Sequence, residues 1–295
     1  MNREMSYLLG MICGNGEIKR GAIETTISIE IPHKKLATEN NNDVRIYVRA
    51  SITDIRTVLE PLIGTGLNFN QQDNYSIISF TKRNDEYMMR EILRYTGNAV
   101  SHENIRIDEE IFAFTRDEKI SFLQGFADVT GYIRRSNYFF KTYMHRVYLE
   151  VPHNWHLVSD VCQLLKDVNI PVQAIDWAHP NMRDGNLVKY NEGKPDFWKK
   201  EHQIKIWANE FLPIGFAVLH KREALTQFAI ELVDGIKSEG KNPENVTHKF
   251  YWEGKGKNKV KPHHPSENDA FIPSEIRGRH YDSWKQIAKD LGYEE

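Results

Sequence analysis

The sequence predicts an α+β chain of two pseudosymmetric halves, each ordered α-β-β-α-β-β-α, followed by a C-terminal extension. Three observations carry this. YLLGMICGNGEI at 7–18 matches FLQGFADVTGYI at 122–133, with Gly10 over Gly125, Gly16 over Gly131 and Ile18 over Ile133 at an offset of 115. ISIEIPH at 27–33 matches VYLEVPH at 147–153 at an offset of 120, pairing Glu30, Pro32 and His33 with Glu150, Pro152 and His153. Helical and alternating apolar periods then succeed one another in the same order in both copies. Matched segments in one order mark a duplication, and the drift in offset places an insertion in the second copy between its opening helix and the strand.

Met5, Leu8, Leu9 and Ile12 fall at helical spacing, so 4–14 reads as a helix ending near Gly14 and Gly16. A strand pattern runs to Ile31, where Pro32 closes it, and VRIYVRA at Val44–Ala50 alternates and reads as its hairpin partner. Ile52–Leu62 is helical, Leu67–Thr81 supplies two strands around the turn at Gln72–Asn74, and Glu86–Tyr95 is a helix stopped by Gly97. In the second copy, Thr115 and Glu118 form a capping box that opens a helix over 116–129. Strands follow at 131–140 and 142–151, a helix at 155–168, strands near 172–177 and 202–208, and a helix at 216–234. The resulting division is 1–100, a linker at 101–115, 116–235, and a basic extension at 236–295. Five lysines stand against one acid in Lys249–Lys261, and Ser283–Leu291 reads as a short amphipathic helix.

The 295 residues carry 39 Lys and Arg against 41 Asp and Glu, a net charge of -2. That excludes a uniformly cationic surface but not cations gathered on one face, because local potential attracts phosphates. Cys13 and Cys162 are too few for a disulfide framework or a cysteine-rich zinc site and read as buried thiols in a reduced, cytoplasmic setting. No stretch reads as a membrane span. His33 and His153 follow strand-ending prolines and read as strand-end packing.

LLGMICGNG (Leu8–Gly16) and LQGFADVTG (Leu123–Gly131) resemble the paired nine-residue signatures of the LAGLIDADG homing-endonuclease superfamily, two-repeat type, over roughly 4–235. The resemblance implies a monomeric saddle of antiparallel sheets lying along double-stranded DNA. Gly10, Gly14 and Gly125 would let the two signature helices approach closely. It also implies site-specific phosphodiester hydrolysis with Mg²⁺ or another divalent cation, held by an acid at the eighth signature position of each copy. Here those positions are Asn15 and Thr130, neither of them ionisable.

The nearest acids are Glu17 and Asp128, and a metal would fall to Asn15 and Asp128. Residues 128 and 130 point about 200° apart on an ideal helix, so Asp128 reaches the helix end only by local rearrangement. The resemblance points to a sequence-specific double-stranded DNA endonuclease of restriction or homing type with a shifted site; the alternative is a DNA-binding regulator that does not cut, and a third account makes Asn15 an isosteric replacement of Asp. An RNA-splicing role follows only by analogy. For DNA contact the candidates are Lys19 and Arg20, repeated as Arg134 and Arg135, with Asn137, Lys141 and Arg146 in the same acid-free stretch. Lys205 is a candidate beside the reacting phosphate, and its first-copy counterpart is Ser79 or Lys82.

Overall fold

The computed structural model describes residues 1–36, 38, 44–97, 99–102, 104–134, 145–152, 154–172, 174–176 and 201–231. The extension at 236–295, the insertion at 178–200, and Arg135, Asn137, Lys141 and His153 lie outside them. The first half runs α1 (Arg3–Asn15), β1 (Gly16–Arg20), β2 (Glu24–Pro32), α2 (His33–Leu36), α3 (Val44–Ile63), β3 (Asn68–Gln71), β4 (Tyr75–Arg83) and α4 (Tyr87–Thr96). After α5 (Glu109–Phe112), the second half runs α6 (Arg116–Thr130), β5 (Gly131–Arg134), β6 (Arg146–Pro152), α7 (Trp155–Asp167), β7 (Ala174–Asp176), β8 (Glu201–Trp207), α8 (Ala208–Phe211) and α9 (Leu219–Ile230). Among the described residues no helix is long and apolar enough to cross a membrane.

Two four-stranded antiparallel sheets form with one shared order, β1-β2-β4-β3 and β5-β6-β8-β7. Their registers coincide. Gly16 faces Ile29 as Gly131 faces Leu149, and Ser28 faces Ser79 as Tyr148 faces Lys205. On the inner faces Ile18, Ile27, Ile29, Ile78 and Phe80, and in the other sheet Ile133, Val147, Leu149, Ile204 and Ile206, are at most 2% exposed. They join one continuous core that runs through α1 and α6.

Those two helices are the centre of the molecule. Asn2 caps α1 by accepting from the Met5 amide at 2.9 Å, and Met5 through Gly14 are all buried. A helix apolar on every side has to be enclosed. The predicted capping box on α6 is present, with Thr115 and Glu118 satisfying each other's amides. A Cβ on Gly10 would sit 1.9 Å from the Phe122 carbonyl oxygen, and one on Gly125 would sit 2.0 Å from that of Tyr7. Only hydrogen fits at this crossing. Further along, a Cβ on Gly14 would lie 2.5 Å from Val129 Cγ2 and 3.0 Å from Thr130 Cγ2, so the C-terminal ends of the two helices touch.

The structure corrects one element. Val44–Ala50 is not a strand but the opening of α3, and the hairpin partner of β2 is β1. Alternation in VRIYVRA competes with a longer helical stripe, Val48, Ile55, Leu59 and Ile63, all buried, and packing selects the stripe. Ile46, apolar in the strand pattern, is 63% exposed. The segment between the halves is docked rather than free. Arg106 grips Asp160 of α7 at 2.6 and 2.7 Å, and Asn154 donates to the carbonyls of His102 and Ile105.

Candidate nucleic-acid interface

Alternation places every second residue of each strand on the outer sheet face. In the first sheet these are Glu17 and Lys19, then Glu24, Thr26, Ser28, Glu30 and Pro32, then Tyr75, Ile77, Ser79, Thr81 and Arg83, with Asn68 and Asn70 on the edge strand. The matching positions of the second sheet are Tyr132 and Arg134, then Arg146, Tyr148, Glu150 and Pro152, then Glu201, Gln203, Lys205 and Trp207, with Ala174 and Asp176 on the edge strand. By register the first face carries two cations, Lys19 and Arg83, against three acids, Glu17, Glu24 and Glu30, and the second three cations, Arg134, Arg146 and Lys205, against three acids, Glu150, Asp176 and Glu201.

Shared register settles the counterpart of Lys205. It pairs with Tyr148, the repeat of Ser28, and Ser28 pairs with Ser79. Ser79 is therefore the counterpart. Lys82 pairs with the buried Thr25 on the opposite face of the sheet and lies 3.7 Å from Glu86. Lys19 and Arg134 occupy matching outer positions, as the repeat predicts. Lys19 lies 3.7 Å from Glu17, and both are exposed. Arg20 donates to the Gly97 carbonyl.

On the second face, cations alternate with rings. Arg134 sits 4.5 Å from the Tyr132 ring centroid, Arg146 sits 4.5 Å from Trp207, and Lys205 sits 6.0 Å from Tyr148. Tyr132 and Tyr148 are stacked at 5.2 Å. Each contact is a cation–π or ring stack that holds a charge at a fixed place. Arg146 and Lys205 are 7% and 9% exposed, whereas Arg134 is half-buried.

At the end of this face Glu150 accepts from Tyr132 Oη at 2.8 Å and Gln203 Nε2 at 2.7 Å, and it pairs with Lys35 and Lys34 of α2. Its repeat mate Glu30 is exposed, one register step from Asn15. Sequence reading missed Lys34, Lys35, Glu30 and Glu150 as a group. The repeated glutamate within IEIPH and LEVPH was the available signal.

The two eighth positions behave differently. Asn15 is half-buried and donates from Nδ2 to the Glu30 carbonyl at 2.6 Å. Thr130 is buried, and its hydroxyl turns back to donate to the Phe126 carbonyl at 2.7 Å. Glu17 points along the exposed face toward Lys19.

Asp128 is placed elsewhere. It is fully buried, and Oδ2 accepts from Tyr7 Oη and the Ala217 amide, each at 2.9 Å, while Oδ1 lies 3.8 Å from Lys221 Nζ. Lys221, also fully buried, donates to the carbonyls of Ala127, Asp128 and Gly131 at 3.2, 3.4 and 2.9 Å, closing the C-terminal end of α6. A cation there satisfies end carbonyls and complements the helix dipole. Burial pushes the Asp128 carboxyl up, against the pull of Lys221, and pushes the Lys221 ammonium down to about 8. The corresponding first-half residue is Cys13, a buried thiol that burial raises well above its ordinary range.

A divalent cation of the Mg²⁺ type needs hard oxygen donors that bring charge. Asn15 offers one neutral carbonyl, the Thr130 hydroxyl is spent within its own helix, and Asp128 is committed to Lys221. The expectation that Asp128 and Asn15 share a metal does not fit this geometry, because one carboxylate is sealed inside the core. Among the described residues no three His, Cys, Asp or Glu side chains gather to hold a metal.

No protein family and no curated protein matches the chain. Among solved structures, I-DmoI in complex with DNA and Mn is similar over 78% of this chain and 98% of that one, at 15% identity and a TM-score of 0.36. The N-terminal LAGLIDADG domain of WhiA is similar over 76% of this chain and 82% of that one, at 15% identity and a TM-score of 0.36. Full-length WhiA from Thermatoga maritima aligns over 79% of this chain and 63% of that one, at 15% identity and a TM-score of 0.39.

Proposed function

We propose that this chain is a sequence-specific double-stranded DNA-binding protein whose two sheets lie as β-ribbons along one major groove, a single chain supplying both halves. The observation that carries this reading is the common register. It puts Lys19 and Arg134 on matching outer positions and adds Arg146 and Lys205 to the second face. Arg134 and Lys19 are the direct phosphate contacts, while Arg146 and Lys205, buried against the Trp207 and Tyr148 rings, act through their field.

Binding without cleavage fits the helix ends better than hydrolysis, because neither Asn15 nor Thr130 brings charge and Asp128 is sealed. A second reading, a metal-dependent site-specific endonuclease of restriction or homing type, has one observation in its favour. Glu30 is an exposed carboxylate one register step from Asn15.

Footprinting on a mixed-sequence duplex library, with and without Mg²⁺ or Mn²⁺, separates the two. A footprint with no cut product is expected, and a cut product overturns the non-cutting reading. Arg134→Ala should lower the slope of log affinity against log salt by about 1, and an unchanged slope removes Arg134 as a phosphate contact.

A further inference from the structure

We infer that each half clasps the other through one repeated aspartate, and that the two clasps fix the spacing between half-sites that the protein accepts. The spacing claim rests on the DNA-binding reading, whereas the clasps rest on contacts within the chain. The starting point is a third repeated segment. ITDI at 52–55 in α3 matches VSDV at 158–161 in α7 at an offset of 106, with Asp54 over Asp160. The helical phase agrees, because Ile55 and Leu59 are buried at the positions of Val161 and Leu165, which are buried too.

Each aspartate accepts a backbone amide from a segment anchored in the other half. Beyond α4 the chain first pairs with β1, where the Ile18 amide donates to the Val100 carbonyl and the His102 amide to the Gly16 carbonyl, both at 2.8 Å. It then crosses to α7. There the Ile107 amide donates to Asp160 Oδ2 at 3.1 Å, and Arg106 donates to both carboxylate oxygens. The other clasp runs the opposite way. Ala217 and Lys221 are anchored in the second half, on Asp128 and on the Gly131 carbonyl. Between them the Leu219 amide donates to Asp54 Oδ2 at 2.8 Å, and His220 Nε2 donates to the Leu36 carbonyl at 2.6 Å. A carbonyl only accepts, so the His220 proton sits on Nε2. Asp160 is buried and Asp54 half-buried, and an amide bond to a carboxylate is charge-assisted and directional.

The crossing of α1 and α6 is a narrow seam, and rocking of two packed bodies about a seam is a hinge motion. Asp54 and Asp160 are repeat mates, so the pseudo-twofold axis relates the two clasps, and they brace the seam from its two sides. What a braced seam holds constant is the distance and twist between the sheets. One base pair inserted between half-sites moves the second by about 3.4 Å and turns it by about 35°. Two sheets locked to each other cannot follow both changes.

Two readouts test this. Spin labels on Glu60→Cys and Lys166→Cys, exposed positions at the same offset of 106, report the distance between the halves without DNA, and the native Cys13 and Cys162 are buried. Asp54→Ala with Asp160→Ala should broaden the distance distribution. Asp54→Asn with Asp160→Asn, each keeping an acceptor oxygen for its amide, should leave it narrow. On a duplex recovered by selection, a one-base-pair insertion between half-sites should cost wild type and the asparagine pair about tenfold or more in affinity, and the alanine pair about threefold or less. Circular dichroism with a thermal midpoint confirms that each variant folds, and if the alanine pair does not, Asp54→Ala alone carries both measurements. A distribution as narrow as that of wild type overturns the clasps. A broadened distribution with the full insertion penalty overturns their role in spacing and leaves DNA binding standing. No duplex binding by wild type overturns the DNA reading and the spacing claim, while the distances still decide the clasps.

Discussion

Where the first sheet carries Thr26, Ser28, Ser79 and Thr81, the second carries Arg146, Tyr148, Lys205 and Trp207. The hydrogen-bond register beneath these residues is the same, and so is the strand order. The interior shows the same split at one position: Cys13 in α1 is a buried thiol, and its repeat mate Asp128 in α6 is a buried carboxylate held by Lys221. Backbone pairing and the glycine crossing are what the halves share, because each is fixed by contacts that allow no alternative. Outer-face side chains, free of that constraint, have diverged in charge and hydrogen-bonding character.

The largest effect should come from the asymmetric interior. Lys221→Met leaves Asp128 buried without its cation and the α6 carbonyls without their donor, a loss of about 3–5 kcal/mol. Asp128→Asn in the same chain should restore part of it. Chemical denaturation of the single and double variants measures the coupling, and simple additivity would show that the two residues do not act together.

Next comes the symmetric crossing. Gly10→Ala and Gly125→Ala each drive a methyl into a carbonyl oxygen, so each should cost about 3 kcal/mol, and nearly equally. A marked inequality between them would break the claim that the helix axis is the conserved part.

The smallest effect is a pH dependence peculiar to the second half. With Lys221 lowered to about 8 in the folded chain and near its ordinary value of about 10.4 when unfolded, the unfolded state binds more protons between those limits. Stability contributed by this group therefore rises with pH across that window, by up to about 1.4 kcal/mol per pH unit. Unfolding of wild type against the Asp128→Asn, Lys221→Met double variant at pH 8 and pH 10 reads it, and parallel curves would mean that Lys221 titrates normally.

The halves, their strand order and the helix–helix crossing were legible because duplication prints each of them twice. Gly10 and Gly125, matched at one offset, announced the close approach that the structure shows. The start of α3 was not legible, because seven residues of alternating polarity satisfy a strand as well as a helix until the stripe through Leu59 is packed. The role of Asp128 was hidden for a different reason. Its partner Lys221 stands 93 residues later, in a helix whose sequence gives no hint that a lysine turns inward. Ser79 and Lys82 were indistinguishable as counterparts of Lys205 until pairing placed them on opposite faces. Nothing in the sequence tells whether an outer cation is open to solvent or packed against a ring.

One consequence follows from the contact between Gly14 and Val129 at the helix ends. The seventh signature position is a hollow in one half and a protrusion in the other, and they fill each other across the pseudo-twofold axis. Two copies of the second half brought together on that axis would set valine against valine, and two copies of the first would leave a gap. Either mismatched union is worse packed than the native one. Duplication made the halves able to pair with their own kind. This exchange of side-chain volume makes the native pairing of α1 with α6 the better packed one at this position.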